Sequence, residues 1–252
     1  MKVGFSTLAL FLNSFEDWLK RAETDGFQLI EILCEGPQWP RNLLLHDKSE
    51  FEVFQSYEID VFIHSPTIDL NPASLNQGIR DETLNQLKET IDLAVEIGAN
   101  AITTHPGLIH RYETRVKDIG RQYSIETLTS ANEYGNERGI IFSVENMPNK
   151  YAYFCNNAEE HALITRECGS CATIDLGHAN TSGDIKPFLD MKNICYYHLS
   201  DNNGDKDQHL ILGEGNLDLE LLNGIDKVIL ELDEYQNVLN SRKILRSCVN
   251  SV

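Results

Sequence analysis

The sequence is poor in positive charge. Its 21 lysines and arginines stand against 39 aspartates and glutamates, which gives a formal net charge of −18 at pH 7. A surface that binds nucleic acid or an anionic membrane needs an excess of cations, so this balance argues against both partners unless bound metal ions reverse the field locally. An excess of carboxylates does suit divalent cations. We therefore expect a small-molecule, carbohydrate-like substrate and no membrane partner, with nucleic acid disfavoured but still open.

The sequence also lacks any apolar run long enough to cross a bilayer, and its first five residues lead directly into a predicted strand rather than a secretory or transit segment. Its six cysteines are scattered, as is typical of reduced thiols. The one close pair, Cys168 and Cys171, has no second pair with which to form a zinc site, so we interpret its spacing as coincidental. These features predict a cytoplasmic protein.

Eight short apolar strands alternate with helical segments or loops along the chain. Buried apolar strands that alternate with helices form a parallel sheet, and eight such units predict an α/β fold, a single-domain (β/α)8 TIM barrel over residues 1–252. The predicted strands are 3–8, 29–34, 61–65, 101–106, 140–146, 172–176, 194–199 and 228–232. One predicted helix begins after Ser14 and ends at Gly26; the others are 79–97, 119–138, 158–168, 184–191, 217–224 and 235–249.

Ionisable side chains stand near the carboxyl ends of seven predicted strands. In a barrel of this kind, catalytic and binding residues lie at those ends. A lone histidine or carboxylate there is usually a satisfied core residue. Seven in succession are hard to attribute to chance, because charged groups brought together repel or lose hydration unless a metal or a substrate compensates. These residues are Glu31, His64, His105, Glu145, Asp175 with His178, His198 and Glu231.

The loop after the seventh predicted strand adds a carboxylate and an imidazole. Asp207 and His209 are two residues apart, so in an extended segment their side chains would share a face and direct two metal donors towards one point. A polar surface loop is an equally good interpretation of this stretch by itself. The strand ends favour the metal interpretation.

Six motifs, taken in chain order, resemble those of the xylose-isomerase-like TIM barrel superfamily: H-S-P, T-H-P-G, V-E-N, I-D-L-G-H, H-L-S-D and D-K-D-Q-H-L-I-L-G-E-G. That superfamily includes sugar phosphate isomerases and epimerases and also endonuclease IV, a nuclease of DNA repair. In the isomerase branch, the resemblance implies one divalent ion held by Glu145, Asp175, His198 and Glu231. In the nuclease branch, it implies three zinc ions and five further ligands, which match His64, His105, His178, Asp207 and His209.

Three departures from the nuclease pattern favour the isomerase branch. Thr67 stands where the nuclease has an aromatic residue, and residues 146–150 continue differently after the fifth strand. The chain also has little spare length and few basic residues for loops that grip DNA. Trp39 follows the second predicted strand, where it could serve as a DNA wedge, stack against a sugar or cover the barrel mouth. We assign Trp39 to substrate binding.

The leading hypothesis is a divalent-metal-dependent sugar or sugar phosphate isomerase or epimerase. Glu145 and Glu231 are the candidates to remove and return the proton next to a carbonyl. The mixed nitrogen and oxygen donors suit manganese, zinc, magnesium or cobalt and do not select among them. One alternative is a zinc-dependent phosphodiesterase that acts at apurinic or apyrimidinic sites in DNA. A second alternative is a non-catalytic barrel that binds a metal or a metabolite.

Overall fold

Eight parallel strands close into one barrel in chain order, which confirms the predicted TIM barrel. The computed structural model describes residues 1–249, so residues 250–252 of the predicted domain lie outside the described residues. The barrel closes where the first strand pairs with the last, with Val3 opposite Val228. The strands are β1 Lys2–Ser6, β2 Leu29–Leu33, β3 Asp60–His64, β4 Ala101–Thr104, β5 Ile141–Glu145, β6 Cys171–Asp175, β7 Ile194–Leu199 and β8 Lys227–Leu230.

The helices pack around the outside of the barrel, and none of those in the described part of the chain is long and apolar enough to cross a membrane. They are α1 Phe15–Asp25, α2 Pro40–Leu43, α3 Gln77–Ile97, α4 Thr114–Asn136, α5 Ala158–Cys168, α6 Leu176–Asn180, α7 Lys186–Leu189 and α8 Tyr235–Val249. Four 3-10 turns, Thr7–Leu10, Gly36–Gln38, Lys48–Ser56 and Leu219–Leu222, join them. The predicted helix at 217–224 is therefore only a 3-10 turn.

Local capping chemistry sets the ends of α1, as the sequence predicts. The Ser14 hydroxyl accepts a hydrogen bond from the Asp17 backbone N–H, and Gly26 ends the helix at a φ of 68°. A side-chain acceptor at the N-cap satisfies one free N–H of the first turn, and glycine adopts the left-handed conformation without a steric cost. The sixth strand ends one residue earlier than predicted because the Asp175 carboxylate caps α6, accepting from the N–H of His178.

The interior of the barrel changes from apolar to polar along its axis. A small apolar cluster that includes Leu29, Phe62 and Ile229 fills the lower part. Above it, the Thr103 hydroxyl lies 2.8 Å from the Ser143 hydroxyl and 2.6 Å from another threonine hydroxyl. Buried hydroxyls are costly unless they are paired, and these are paired with one another. The barrel mouth therefore rests on a hydrogen-bonded floor.

Candidate metal centre

Four side chains at successive strand ends converge at the barrel mouth, and we call them the strand-end ligands: Glu145, Asp175, His198 and Glu231. One donor atom from each lies within 4.8 Å of the others. His198 Nδ1 is 3.1 Å from Glu145 Oε1 and 3.1 Å from Glu231 Oε2. Three buried or half-buried carboxylates at such distances repel one another unless a cation compensates. The structure thus brings together the four residues that the sequence proposes as one metal site.

Glu145 belongs to a second group as well. Its Oε2 atom lies 3.2 Å from His64 Nε2 and 3.4 Å from His105 Nε2, and the three donors form another compact set. The other oxygen of Glu145 faces the strand-end ligands. Glu145 therefore stands between two donor groups, and loss of its carboxylate would affect both.

Asp207 and His209, which we call the loop ligands, meet His178, whose Nδ1 atom lies 3.5 Å from Glu145 Oε1. Asp207 Oδ2 lies 3.3 Å from His178 Nε2 and 2.9 Å from His209 Nε2. The assumption that the loop is extended there is wrong, because His209 has a φ of 49° in the left-handed region. The two side chains meet because the backbone turns. Asp207 Oδ1 and His209 Nδ1 are buried without a hydrogen-bond partner, so both atoms remain available to coordinate a metal ion or to contact a substrate.

The loop that carries these two residues packs around the carboxylate of Asp201, the last residue of the H-L-S-D motif, and a backbone bridge between Asp201 and Leu210 also closes it. Asp201 Oδ2 accepts from the N–H groups of Gly213 and Gly215 at 2.8 and 3.1 Å. Its Oδ1 accepts from Asn202 and Leu217 at 2.8 and 3.0 Å. A side chain at position 215 would collide with the Asp201 carboxylate, so glycine is required there. Asp201 thereby gathers both ends of the loop.

The carboxylates and imidazoles of the mouth hold one another charged. Burial opposes ionisation of Glu145, but the imidazoles around it keep its pKa well below the usual range. Burial also opposes protonation of His198, and the neighbouring carboxylates outweigh it and raise the pKa well above the usual value. Asp175 differs, because burial raises its pKa to about 6 against the opposing effect of His178. A divalent ion would have to displace imidazole protons as it binds.

Two further candidate residues, Trp39 and Glu31, belong to none of these donor groups, although Glu31 contacts His198. Trp39 is half-buried, and its Nε1–H donates to Gln86 Oε1 at 2.7 Å while the guanidinium of Arg41 stacks on its ring. Its role in substrate binding stays a prediction. Glu31 is fully buried, and its Oε2 lies 2.9 Å from His198 Nε2. A carboxylate inside an apolar strand is the signal that marks it in the sequence.

A cavity of about 270 Å³ opens beside His105. Its walls come from the loops after β3, β4 and β5, and they include Leu70, Leu108, Met147 and Tyr153. No lysine or arginine is among its lining residues. The cavity therefore suits a small uncharged or apolar group, and nothing in its lining would neutralise a phosphate.

The family model of the xylose isomerase-like TIM barrel matches residues 19–228. An uncharacterized protein of Methanocaldococcus jannaschii is 31% identical over 269 residues, and the match covers 100% of this chain and 90% of that protein. A D-tagatose 3-epimerase-like protein of known structure is 30% identical, with a TM-score of 0.86 over 98% of this chain and 97% of its own. Endonuclease IV from Thermus thermophilus has a TM-score of 0.79 at 16% identity and covers all of both chains, which is a likeness of fold alone.

Proposed function

This chain belongs to the xylose isomerase-like TIM barrel family, and from that premise we propose that it is a divalent-metal-dependent isomerase or epimerase of a small polyhydroxylated carbonyl compound. The observation that carries the proposal is the convergence of the strand-end ligands within 4.8 Å. The likeness to a D-tagatose 3-epimerase-like protein at 30% identity supports a sugar as the substrate class. Proteins of the same fold do differ in function, so the site itself has to carry the argument.

The strand-end ligands fit a divalent cation by their chemistry. Three carboxylates and one imidazole offer hard and borderline donors, which manganese, zinc, magnesium and cobalt all accept. In the metal-free protein, protonated imidazoles such as that of His198 compensate the buried negative charge, and a divalent ion would take over that role as it displaces their protons. When bound, such an ion supplies a Lewis acid that stabilises negative charge on vicinal oxygens of the substrate.

Glu145 and Glu231 are the proton-transfer residues of this proposal. An oxygen of each lies 3.1 Å from His198 Nδ1. One carboxylate removes the proton next to the carbonyl, and the other returns a proton to the opposite face, which inverts the configuration. Return of the proton to the neighbouring carbon gives isomerisation instead. Glu231 is 16% exposed against 1% for Glu145, so Glu231 is the more accessible to a substrate entering from the mouth.

The cavity beside His105 has room for a small group of a substrate, although none of the strand-end ligands lines it. Its volume of about 270 Å³ is close to the lower end of the usual range for small-molecule sites, roughly 300 Å³. Its lining carries no cation, which favours a free sugar over a sugar phosphate. The formal charge of −18 also favours an uncharged substrate, because it would repel a phosphate group and, more strongly, an extended polyanion such as DNA.

Exchange with solvent deuterium tests the reaction class before the substrate is known. Metal-loaded protein is incubated in deuterium oxide with a panel of ketoses and ketose phosphates, and mass spectrometry follows the label. We expect deuterium to enter the carbon next to the carbonyl, and the exchange to stop after chelation. Glu145→Gln and Glu231→Gln should abolish it. Glu137→Gln, on a side chain that is 75% exposed, is the matched control and should leave it intact.

The second candidate function is cleavage of DNA at abasic sites by a zinc enzyme. The observation that favours it is the presence of two further donor groups, around Glu145 Oε2 and around Asp207 Oδ2. The test is incubation of zinc-loaded protein with a duplex that contains one abasic site, at low salt, where electrostatic binding is strongest. Efficient incision that disappears in His105→Ala would replace the isomerase proposal. Deuterium exchange without incision would support it, and turnover of either kind would exclude a purely binding barrel.

A further inference from the structure

Glu31 is a buried carboxylate that belongs to neither compact donor group. It lies in the middle of β2, fully shielded from solvent. Its Oε2 atom accepts from the Tyr196 hydroxyl at 2.5 Å and lies 2.9 Å from His198 Nε2. Its Oε1 atom has no partner. Burial of a charged carboxylate at this depth costs free energy unless it is paired, and the contacts with Tyr196 and His198 offset that cost.

The two ring nitrogens of His198 face different groups. Nδ1 points to Glu145 and Glu231, whereas Nε2 points to Glu31. A carboxylate only accepts hydrogen bonds, so the contact with Glu31 requires a proton on Nε2. The contacts of Nδ1 with Glu145 and Glu231 likewise require a proton in the metal-free protein, and that is the proton a metal ion would displace. In a neutral imidazole the lone pair then lies on Nδ1, where a metal ion can use it.

Glu31 is itself held in place by a chain of hydroxyl groups. Tyr196 has a single hydroxyl proton, and it is donated to Glu31. The Tyr196 oxygen then accepts from the Thr103 hydroxyl, 2.5 Å away, and Thr103 accepts from Thr173 at 2.6 Å. The chain runs across β4, β6 and β7 and ends on the Glu31 carboxylate. Its donors therefore point in one direction, towards Glu31.

We propose that Glu31 is a positioning residue, which fixes the ring orientation and the tautomer of His198 so that Nδ1 is presented to a metal ion among the strand-end ligands. Carboxylates that accept from the second nitrogen of a metal-bound imidazole raise the basicity of the ligand and restrict its rotation. The inference rests on the metal site of the proposed function, but it does not depend on which reaction the site catalyses.

Zinc affinity of the variant Glu31→Gln tests the inference without an activity assay. Glutamine keeps the size of the side chain, but it loses the charge and directs an amide donor at either His198 or Tyr196. We expect the affinity for Zn²⁺, measured by competition with a chromogenic chelator, to fall about 10–100-fold, with the stoichiometry unchanged. Glu35→Gln is the matched control, because Glu35 bonds to the backbone of Thr67 and Ile68 instead of a histidine. It should leave the affinity unchanged.

A second measurement applies to the unsubstituted protein, so the inference stays testable if Glu31→Gln fails to fold. Long-range ¹H–¹⁵N spectra of the zinc-loaded, histidine-labelled protein should show His198 with its proton on Nε2. A proton on Nδ1, or an affinity in a folded Glu31→Gln equal to that of the unsubstituted protein, would overturn the inference alone. Absence of any divalent ion from the unsubstituted protein would overturn the proposed function together with it.

Discussion

The strand-end ligands and the loop ligands are held in place by different means. Asp175 and His198 sit opposite each other in the hydrogen-bonded register of β6 and β7, so the barrel itself fixes their backbones. Asp207 and His209 lie on a loop that begins at Asp201, and the Asp201 carboxylate accepts hydrogen bonds from the far end of this loop, at Gly213 and Leu217. The first group can be displaced only if strands separate. The second can open locally while the barrel stays folded.

This difference bears on metal affinity and on movement. Ligands on strands are already held in place, so little of the binding free energy of an ion is spent on ordering the protein. The loop is held by the Asp201 carboxylate and also by the backbone bridge between Asp201 and Leu210. It lies outside the strands and can adapt to a substrate, and Gly213, with a φ of 83°, provides a conformational pivot. We therefore expect a tight metal site at the strand ends and a weaker, adaptable contact at the loop.

Loss of Glu145 should have the largest effect, because its two oxygens serve both compact donor groups. We expect Glu145→Gln to lower the affinity for a divalent ion by more than about 100-fold, beyond the loss typical of a residue that only supports a ligand. Asp175→Asn should act in the same direction. Elemental analysis after desalting measures the metal, and circular dichroism checks the fold. Full metal content in both variants would show that the strand-end ligands do not form the site.

Removal of the loop anchor should separate the two regions. Asp201→Asn replaces an acceptor by an amide donor and leaves a buried N–H group such as that of Leu217 unpaired, at about 1–3 kcal/mol. Hydrogen exchange in residues 202–217 should become about 10–100-fold faster, while the metal at the strand ends is retained. Asp205→Asn, on an exposed side chain of the same loop, is the control. Unchanged protection in Asp201→Asn would mean that the loop is held by other contacts.

The pH dependence of the metal-free protein should report on both regions at once. Burial lowers the pKa of His64 and of His209, but Glu145 and Asp207 outweigh it and raise each pKa to about 9. A raised folded-state pKa contributes stability that is complete below the unfolded value near 6.5 and is lost as the pH rises through 9. We expect the free energy of unfolding to fall by about 1–3 kcal/mol per histidine over this window.

Thermal unfolding is measured in the presence of a chelator from pH 6.5 to 9. The change in pH dependence caused by His209→Gln gives the contribution of the loop, and that caused by His64→Gln gives the contribution of the barrel. Each variant should flatten part of the pH dependence. A stability that rises between pH 6.5 and 9 would contradict the charge coupling inferred here. Metal-loaded protein should show a weaker dependence, because the ion replaces the protons.

The smallest expected effect concerns Trp39, which lies outside both regions. Trp39→Phe removes the hydrogen bond to Gln86 and should lower the free energy of unfolding by about 1 kcal/mol, with metal content unchanged. If Trp39 also binds substrate, KM for the identified substrate should rise in Trp39→Ala. A change in metal content would place Trp39 nearer the donors than its contacts with α3 indicate.

The sequence predicts the barrel and selects the side chains that converge at its mouth, but it does not predict the contacts that support them. Strand periodicity and the rule that barrel chemistry lies at strand ends suffice to select residues such as Glu145 and His198. The contact between Glu31 and His198 joins positions 167 residues apart across the barrel interior, and no local pattern encodes it. The role of Asp201 likewise depends on a loop path set by tertiary hydrogen bonds.

Anomalous diffraction from crystals of protein purified without chelator would test the central claim most directly. Data collected at the manganese, cobalt and zinc absorption edges locate and identify those ions, and octahedral density without an anomalous peak would indicate magnesium. We expect one tightly bound divalent ion per chain, among Glu145, Asp175, His198 and Glu231. No ion there, or three ions of equal occupancy with the other two at His64 with His105 and at Asp207 with His209, would contradict it.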